Sequence, residues 1–265
     1  MSNNKIRTQI WNNGGGTQSA AIASLIVTGK LPKPDLAVIA DTGRERSSTW
    51  DYLDTYIAPA LASVGVTMHR VCKERYATKD LYGGKDGDTL LIPAFTTAGQ
   101  DVGKLPGYCS GEWKREVIRR WATIEYGVKA ATNWIGYSID EIGRAVKSKK
   151  STNSQGKWIV DFPLITLGMN RGDCVAAVQR MGWPFPPRSS CWMCPNMNVV
   201  EWREVMENDR DRPKVIQFDR DMRKRDPHAW LTDQAVPIDK ADFDDANEVM
   251  FGRDRGGCSS GMCFV

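Results

Sequence analysis

Asn12-Asn13-Gly14-Gly15-Gly16-Thr17-Gln18-Ser19-Ala20-Ala21-Ile22 is the stretch that decides the fold. A short apolar strand, Ile6 to Trp11, runs into it, and a helix-compatible stretch to about Thr28 runs out of it. Consecutive glycines let backbone N–H groups approach an anion closely, with positive φ available and no Cβ in the way. The helix that follows adds its positive N-terminal end. A phosphate cradle is the reading that uses every part of the pattern.

The second half of the pattern is Leu36-Ala37-Val38-Ile39-Ala40-Asp41-Thr42-Gly43-Arg44-Glu45, a buried-strand run ending in a carboxylate and a turn. A helix is expected from about Ser47 to Ser63, and a third strand over Gly65 to Val71. This β-α-β-α-β rhythm predicts an α/β fold with a doubly wound parallel sheet and right-handed crossovers. Ligands of such sheets bind at the carboxyl ends of the strands, so the glycine loop and the Asp41 turn are expected to face one crevice.

These residues carry a family resemblance. Gly14 to Ser19 resembles the SGGxDS loop of the adenine nucleotide α-hydrolase (ATP pyrophosphatase, PP-loop) superfamily, in the version found in phosphoadenylyl-sulfate (PAPS) reductases. Asp41-Thr42-Gly43 resembles the second nucleotide-site turn of those proteins. The likeness continues in Cys109-Ser110-Gly111-Glu112-Trp113-Lys114, in Trp134 to Glu141 and in Ser190-Cys191-Trp192-Met193-Cys194-Pro195. It is similar to the PAPS reductase-like proteins of phage genomes and to the sulfur-inserting subunits of DNA phosphorothioation systems. Two positions depart from the pattern: Gly14 replaces its first Ser, and Gln18 replaces its Asp. Gln at the second position also occurs in PAPS reductases.

The resemblance implies an ATP site, or a PAPS or adenylyl-sulfate site, with Mg²⁺. Its residues would be Gly14, Gly15, Gly16, Thr17, Gln18, Ser19, Asp41, Thr42, Gly43 and Glu45, joined by Asp140 and Glu141 after a later strand. Three activities compete. The first is adenylation of an acceptor with pyrophosphate release, for sulfur transfer to nucleic acid. The second is reduction of an adenylyl-sulfate by a C-terminal cysteine, Cys258 or Cys263. The third is a non-catalytic nucleotide-binding subunit of a nucleic-acid modification complex. Lys114 is the expected phosphate-facing cation, on a helix over residues 110–127 whose Trp113, Val117, Trp121 and Ile124 share one side.

The 265-residue chain is 41% hydrophobic and 26% charged, the composition of an ordinary globular protein. Its net charge of +4 permits an anionic partner without demanding one. No run is long enough for a membrane span, and Met1-Ser2-Asn3-Asn4-Lys5 has no apolar signal core, so a cytoplasmic protein is expected, in the host cytoplasm if phage-encoded. With His69 and His228 as the only histidines and nothing beside them, acyl-transfer hydrolysis is not expected.

Seven cysteines in a chain of this kind suggest metal or redox chemistry rather than bridges. The Cys191/Cys194 pair can hold zinc, hold an iron–sulfur cluster or act as a dithiol. Cys109 and Cys174 complete the candidate ligand set, with Cys258 next in line, and the resemblance favours a 4Fe-4S cluster over zinc. Cys72 is expected in the core, as are Trp192 and Trp202. Lys147, Lys149 and Lys150 are placed in a polar loop that could meet a nucleic-acid backbone.

The region from Tyr76 to Tyr108 lacks periodicity and reads as a mobile segment near the entrance. Helices are expected around Val199 to Asn208 and Pro213 to Arg225, and few regular elements beyond Pro227. The organisation is a nucleotide-binding α/β unit over 1–187 and a cysteine-containing, α-helical extension over 188–265, packed on the same domain. Nucleic acid or a sulfur-donor protein are the expected macromolecular partners.

Overall fold

The computed structural model describes residues 7–77, 79–85, 87–151 and 156–244. Five strands form a wholly parallel sheet: β1 Thr8–Asn12, β2 Leu36–Asp41, β3 Met68–Cys72, β4 Ala131–Ile135 and β5 Trp158–Asp161. Their order is β3-β2-β1-β4-β5, with Ile10 opposite Leu36 and Asn12 opposite Ile135 across β1. Side chains alternate between faces of a strand. Trp11, Ala37 and Ile39 accordingly enter one core with helix α1 (Thr17–Val27), while Ile10, Val38 and Ala40 enter another with Val117, Ile118 and Trp121. Both faces are covered, as a parallel sheet requires.

The helix after β2 is continuous but not uniform. Its parts are Ser47–Tyr52, a widened π turn at Leu53–Ile57, and Ala58–Ser63; together they are α2. Pro59 cannot donate to the carbonyl four residues back, which suits the break in the α pattern. Helix α3 likewise opens with a π turn, Gly111–Arg115, continues as Glu116–Tyr126, and stops at Gly127, whose φ is 64°. Trp113, Val117 and Trp121 are buried on it, but Ile124 is 66% exposed. Ile118 and Ala122 take its expected place in the core, because the buried stripe follows the true turn of the helix.

Other expectations are corrected. Lys147 and Lys149 stand on a helix, α4 Ile142–Ser151, not in a loop. Strand β5 and helix α5 (Arg171–Gln179) add to the expected elements; the latter starts at a reciprocal capping box between Asn170 and Asp173. Cys72 ends an edge strand and is exposed, donating to Glu74 Oε2 at 2.7 Å.

Helices α6 (Val199–Glu207) and α7 (Arg212–Arg225) lie where the sequence places them. The aperiodic region carries short antiparallel pairs, Tyr82–Gly83 with Thr89–Leu90 and Phe95–Thr96 with Gly103–Lys104, the former residues of the second pair also meeting Ala229–Trp230. Leu90, Ile92 and Trp113 share a third core with Trp192, Met193, Trp202, Val215 and Ile238. The C-terminal part is thus built around the region preceding α3. Trp202 stacks on Phe243 and Trp192 meets Phe218 edge-on, both in packing roles.

Candidate functional site

The chain leaves β1 between two neighbours reached in opposite directions, β2 on one side and β4 on the other. That switch point is where an open α/β sheet parts to make a crevice. The glycine loop lies there and is rigidly built. Gly14 N donates to Ser19 Oγ at 2.8 Å and Gly15 N to Asn13 Oδ1 at 2.7 Å. Gly15 has φ 80°, and a Cβ on it would lie 2.5 Å from Thr49 Cγ2, so no other residue fits. The first N–H groups of α1 have no acceptor within the helix, and its N-cap Gly16 provides no side-chain bond. The turn after β4 is pressed against this start: a Cβ on Gly136 would stand 3.5 Å from Ser19 N.

Gly16, Thr17 and Gln18 open into a cavity of about 490 Å³. Lys114, Arg144, Lys147, Arg171 and Arg188 line it with Asp140, Glu141 and Glu201, an excess of positive charge. Gln18 Nε2 donates to Glu141 Oε2 at 3.0 Å, and Glu141 also pairs with Arg144, whose guanidinium lies over Tyr137. Arg188 pairs with Glu201 at 3.1 Å, while Arg171 N donates to Asp140 Oδ2. Among the described residues no carboxylate forms an ion pair with Lys147 or Arg171, which leaves both cations for a ligand.

Gly14, Gly15 and Ser19 shape the loop from behind and do not line the cavity. Nor do Asp41, Thr42, Gly43 and Glu45, which corrects the expectation of one shared crevice. The cause is the segment around the CxxC, which runs between the two turns. Ser189 donates its hydroxyl to the Gly14 carbonyl on one side. On the other, Trp192 N donates to Arg44 O at 2.8 Å and Arg46 N to Ser190 O at 3.3 Å, a strand-like pairing centred on Glu45 and Cys191. Asp41 is turned outward, accepting from Gly43 N at 2.8 Å and paired with Arg70 at 2.7 Å. Thr42 is fully buried, 3.7 Å from Cys191 Sγ. Glu45, also buried, receives Lys114 at 2.9 Å, so this lysine neutralises a carboxylate as well as lining the cavity.

Cys109, Cys191 and Cys194 line the same cavity, and Cys194 N donates to Cys191 O at 3.1 Å across a tight turn. Burial pushes the Cys191 thiol well up, with Glu45 adding to the rise and Lys114 opposing it. Cys174 does not join them. It is fully buried on α5, which packs on α1, and belongs to the core of α1 and β1 rather than to the one that the other thiols meet. Among the described residues no three His, Cys, Asp or Glu side chains are grouped to hold a metal ion. The three thiols therefore share a cavity without forming a ready ligand cage. Cys258 and Cys263 lie outside the described residues.

Arg171, Arg188 and Ser189 carried no signal of their own in the sequence. Ser189 could have been suspected only from standing just before the CxxC.

No protein-family model matches the chain, and no curated protein matches it. Among solved structures it is similar to the PAPS reductase of Candida auris in a phosphate complex, at 18% identity and a TM-score of 0.43, over 69% of this chain and 76% of that one. It is also similar to the U34-tRNA thiolase NcsA of Methanococcus maripaludis with its [4Fe-4S] cluster, at 14% identity and a TM-score of 0.43, over 84% of this chain and 67% of that one. At these values, what those two proteins bind and do stays with them. No helix among the described residues is long and apolar enough to cross a membrane.

Proposed function

We propose that the chain is a PAPS reductase-like enzyme of the adenine nucleotide α-hydrolase superfamily, which adenylates an acceptor with release of pyrophosphate in preparation for sulfur transfer to nucleic acid. The observation that carries this reading is one cavity lined both by the start of α1 with several cations and by three thiols. The N–H groups at the start of α1, with Lys147 and Arg171, suit the phosphates of a nucleotide. An acceptor oxygen would attack the α-phosphorus, forming a new P–O bond as the bond to pyrophosphate breaks. The helix start and the cations then stabilise the charge that builds up on the phosphate oxygens. Asp140 and Glu141, two of the carboxylates that line the cavity, would hold a Mg²⁺, which would supply charge neutralisation to the leaving pyrophosphate.

An iron–sulfur cluster would draw on Cys109, Cys191 and Cys194, without Cys174. These thiols are not grouped as ligands among the described residues. A second reading, reduction of an adenylyl-sulfate, is favoured by Gln18, which presents an amide where metal–pyrophosphate chemistry calls for a carboxylate.

Pyrophosphate release from ATP, with and without nucleic acid, tests the proposal. Release supports it; sulfite formation from PAPS without pyrophosphate release transfers the support to the reductase. Tight nucleotide binding with neither product reduces the chain to a binding subunit. Iron analysis and a band at roughly 400 nm in anaerobically purified protein test the cluster, whose thiolate ligation would give such absorption.

A further inference from the structure

A second concave surface, about 550 Å³, lies beyond the Asp41 turn and away from the glycine-loop cavity. Arg44, Lys73 and Asp80 make its centre, with Glu74 at its edge, 3.5 Å from the Lys73 ammonium. Arg44 grips the Asp80 carboxylate with both arms of its guanidinium, at 2.9 and 3.1 Å, and Lys73 adds a third bond at 2.6 Å. The two cations are set into the wall, their side chains 14% and 5% exposed, while that of Asp80 is 64% exposed. Their seat is aromatic: the Arg44 guanidinium lies 4.8 Å from the centre of the Trp113 ring, and the Lys73 ammonium 5.5 Å.

A guanidinium fork plus an ammonium, partly dried by an indole, is the donor set that recognises a tetrahedral oxyanion. In this chain a carboxylate from the solvent side fills it. The Asp80 main chain is pinned separately, its carbonyl accepting from Trp113 Nε1 at 2.7 Å. Rotation of the side chain alone can therefore empty the site without moving the backbone.

We infer that Arg44 and Lys73 form a second oxyanion site, for phosphate or sulfate, closed by the Asp80 carboxylate and opened when an external anion displaces it. Phosphate could arrive free or as part of a nucleic-acid backbone. Either would compete with Asp80 for the same three bonds. Burial of Asp80 works against its charged form, but the bonds from Arg44 and Lys73 outweigh it and hold the carboxyl at about 2, so the plug is an anion at any ordinary pH. The inference does not rest on the proposed adenylation, because none of these three residues lines the glycine-loop cavity.

The test compares full-length Asp80→Asn with the unaltered chain, by calorimetric titration with inorganic phosphate and with a short single-stranded oligonucleotide. Binding at the glycine loop is common to both proteins and drops out of the difference. Loss of the competing carboxylate should tighten binding of at least one probe by about tenfold or more. Adding Lys73→Met should abolish the gain. A gain with phosphate identifies a free oxyanion, and a gain with the oligonucleotide alone identifies the backbone. No gain with either overturns the inference and leaves a structural ion pair. Should Asp80→Asn misfold, carboxyl resonances of the unaltered chain decide: saturating phosphate should move the Asp80 titration from about 2 towards 3.8, and an unmoved titration refutes the site.

Discussion

Ser189 hydrogen-bonds through its hydroxyl to the carbonyl of Gly14, joining positions 175 residues apart in the chain. This contact ties the cysteine segment to the back of the glycine loop, and it explains why the segment lies between that loop and the Asp41 turn. Ser189→Ala leaves a buried carbonyl without its partner, at a cost of about 1–3 kcal/mol. Urea denaturation should show that loss together with weaker nucleotide binding. Unchanged stability would mean that the cysteine segment does not brace the loop.

Gly15 stands against Thr49, and only the lack of a side chain permits it. Gly15→Ala should cost at least about 1–2 kcal/mol for the left-handed backbone alone, with the clash on Thr49 added. Combining it with Thr49→Ser removes the methyl that the new Cβ would meet. The double variant should recover part of the lost stability, never all, since φ stays positive. Chemical denaturation of the two variants separates the contributions.

Lys147 and Arg171 are the cavity cations available to a nucleotide phosphate. Replacing either with Met should weaken ATP binding by roughly tenfold, the worth of a hydrogen bond to a charged group. The salt dependence of binding should flatten at the same time. Fluorescence or calorimetric titration at two ionic strengths would show it, and equal affinity in both variants would remove the phosphates from this wall.

Cys174 belongs to the core of α1 and β1, whereas Cys109, Cys191 and Cys194 pack against the C-terminal core. Cys174→Ser should therefore leave any iron or zinc content unchanged, while costing about 1–3 kcal/mol for a hydroxyl placed in an apolar core. Burial above all, with nearby Asp173, pushes its thiol up to about 12. A thiol whose folded value is raised favours the folded state fully below the unfolded value of 9.0, and that contribution is lost as pH rises from there towards 12. A thiol reagent added to native protein should spare Cys174 until the chain unfolds.

Asp80 works in the opposite sense. Its carboxyl is held at about 2 against an ordinary 3.8, so it stabilises the fold above the ordinary value and loses that effect as pH falls towards 2. Its side chain is well exposed, so the effect is screened and small. Carbon resonances of the carboxyl, followed in acid, should place it near 2; a midpoint at 3.8 would mean that Arg44 and Lys73 do not hold it.

The apolar runs that end at the glycine loop and at Asp41 made the sheet legible, because a buried parallel strand reads as an unbroken apolar stretch, a local property of the chain. The triple glycine before α1 was legible for the same reason. Strand β5 was not: Trp-Ile-Val-Asp is three half-buried residues and an exposed one at an edge, too short for a pattern. Ile124 is exposed because the buried stripe of α3 runs through Ile118 and Ala122 instead.

What the sequence by itself determined was the parallel frame with a glycine loop at its centre, since apolar period, strand length and glycine conformations act over a few residues. Only the tertiary structure decided which groups meet at that loop. Residues 188–194 pass between two turns that the chain pattern alone placed together, so Asp41 faces away and Cys109, Cys191 and Cys194 face the cavity. The same packing sends Cys174 to the other core, although it lies nearer to the CxxC in sequence than Cys109 does. The physical reason is burial: Trp113, Trp192 and Met193 come from distant parts of the chain, and the core they complete fixes the thiols in space.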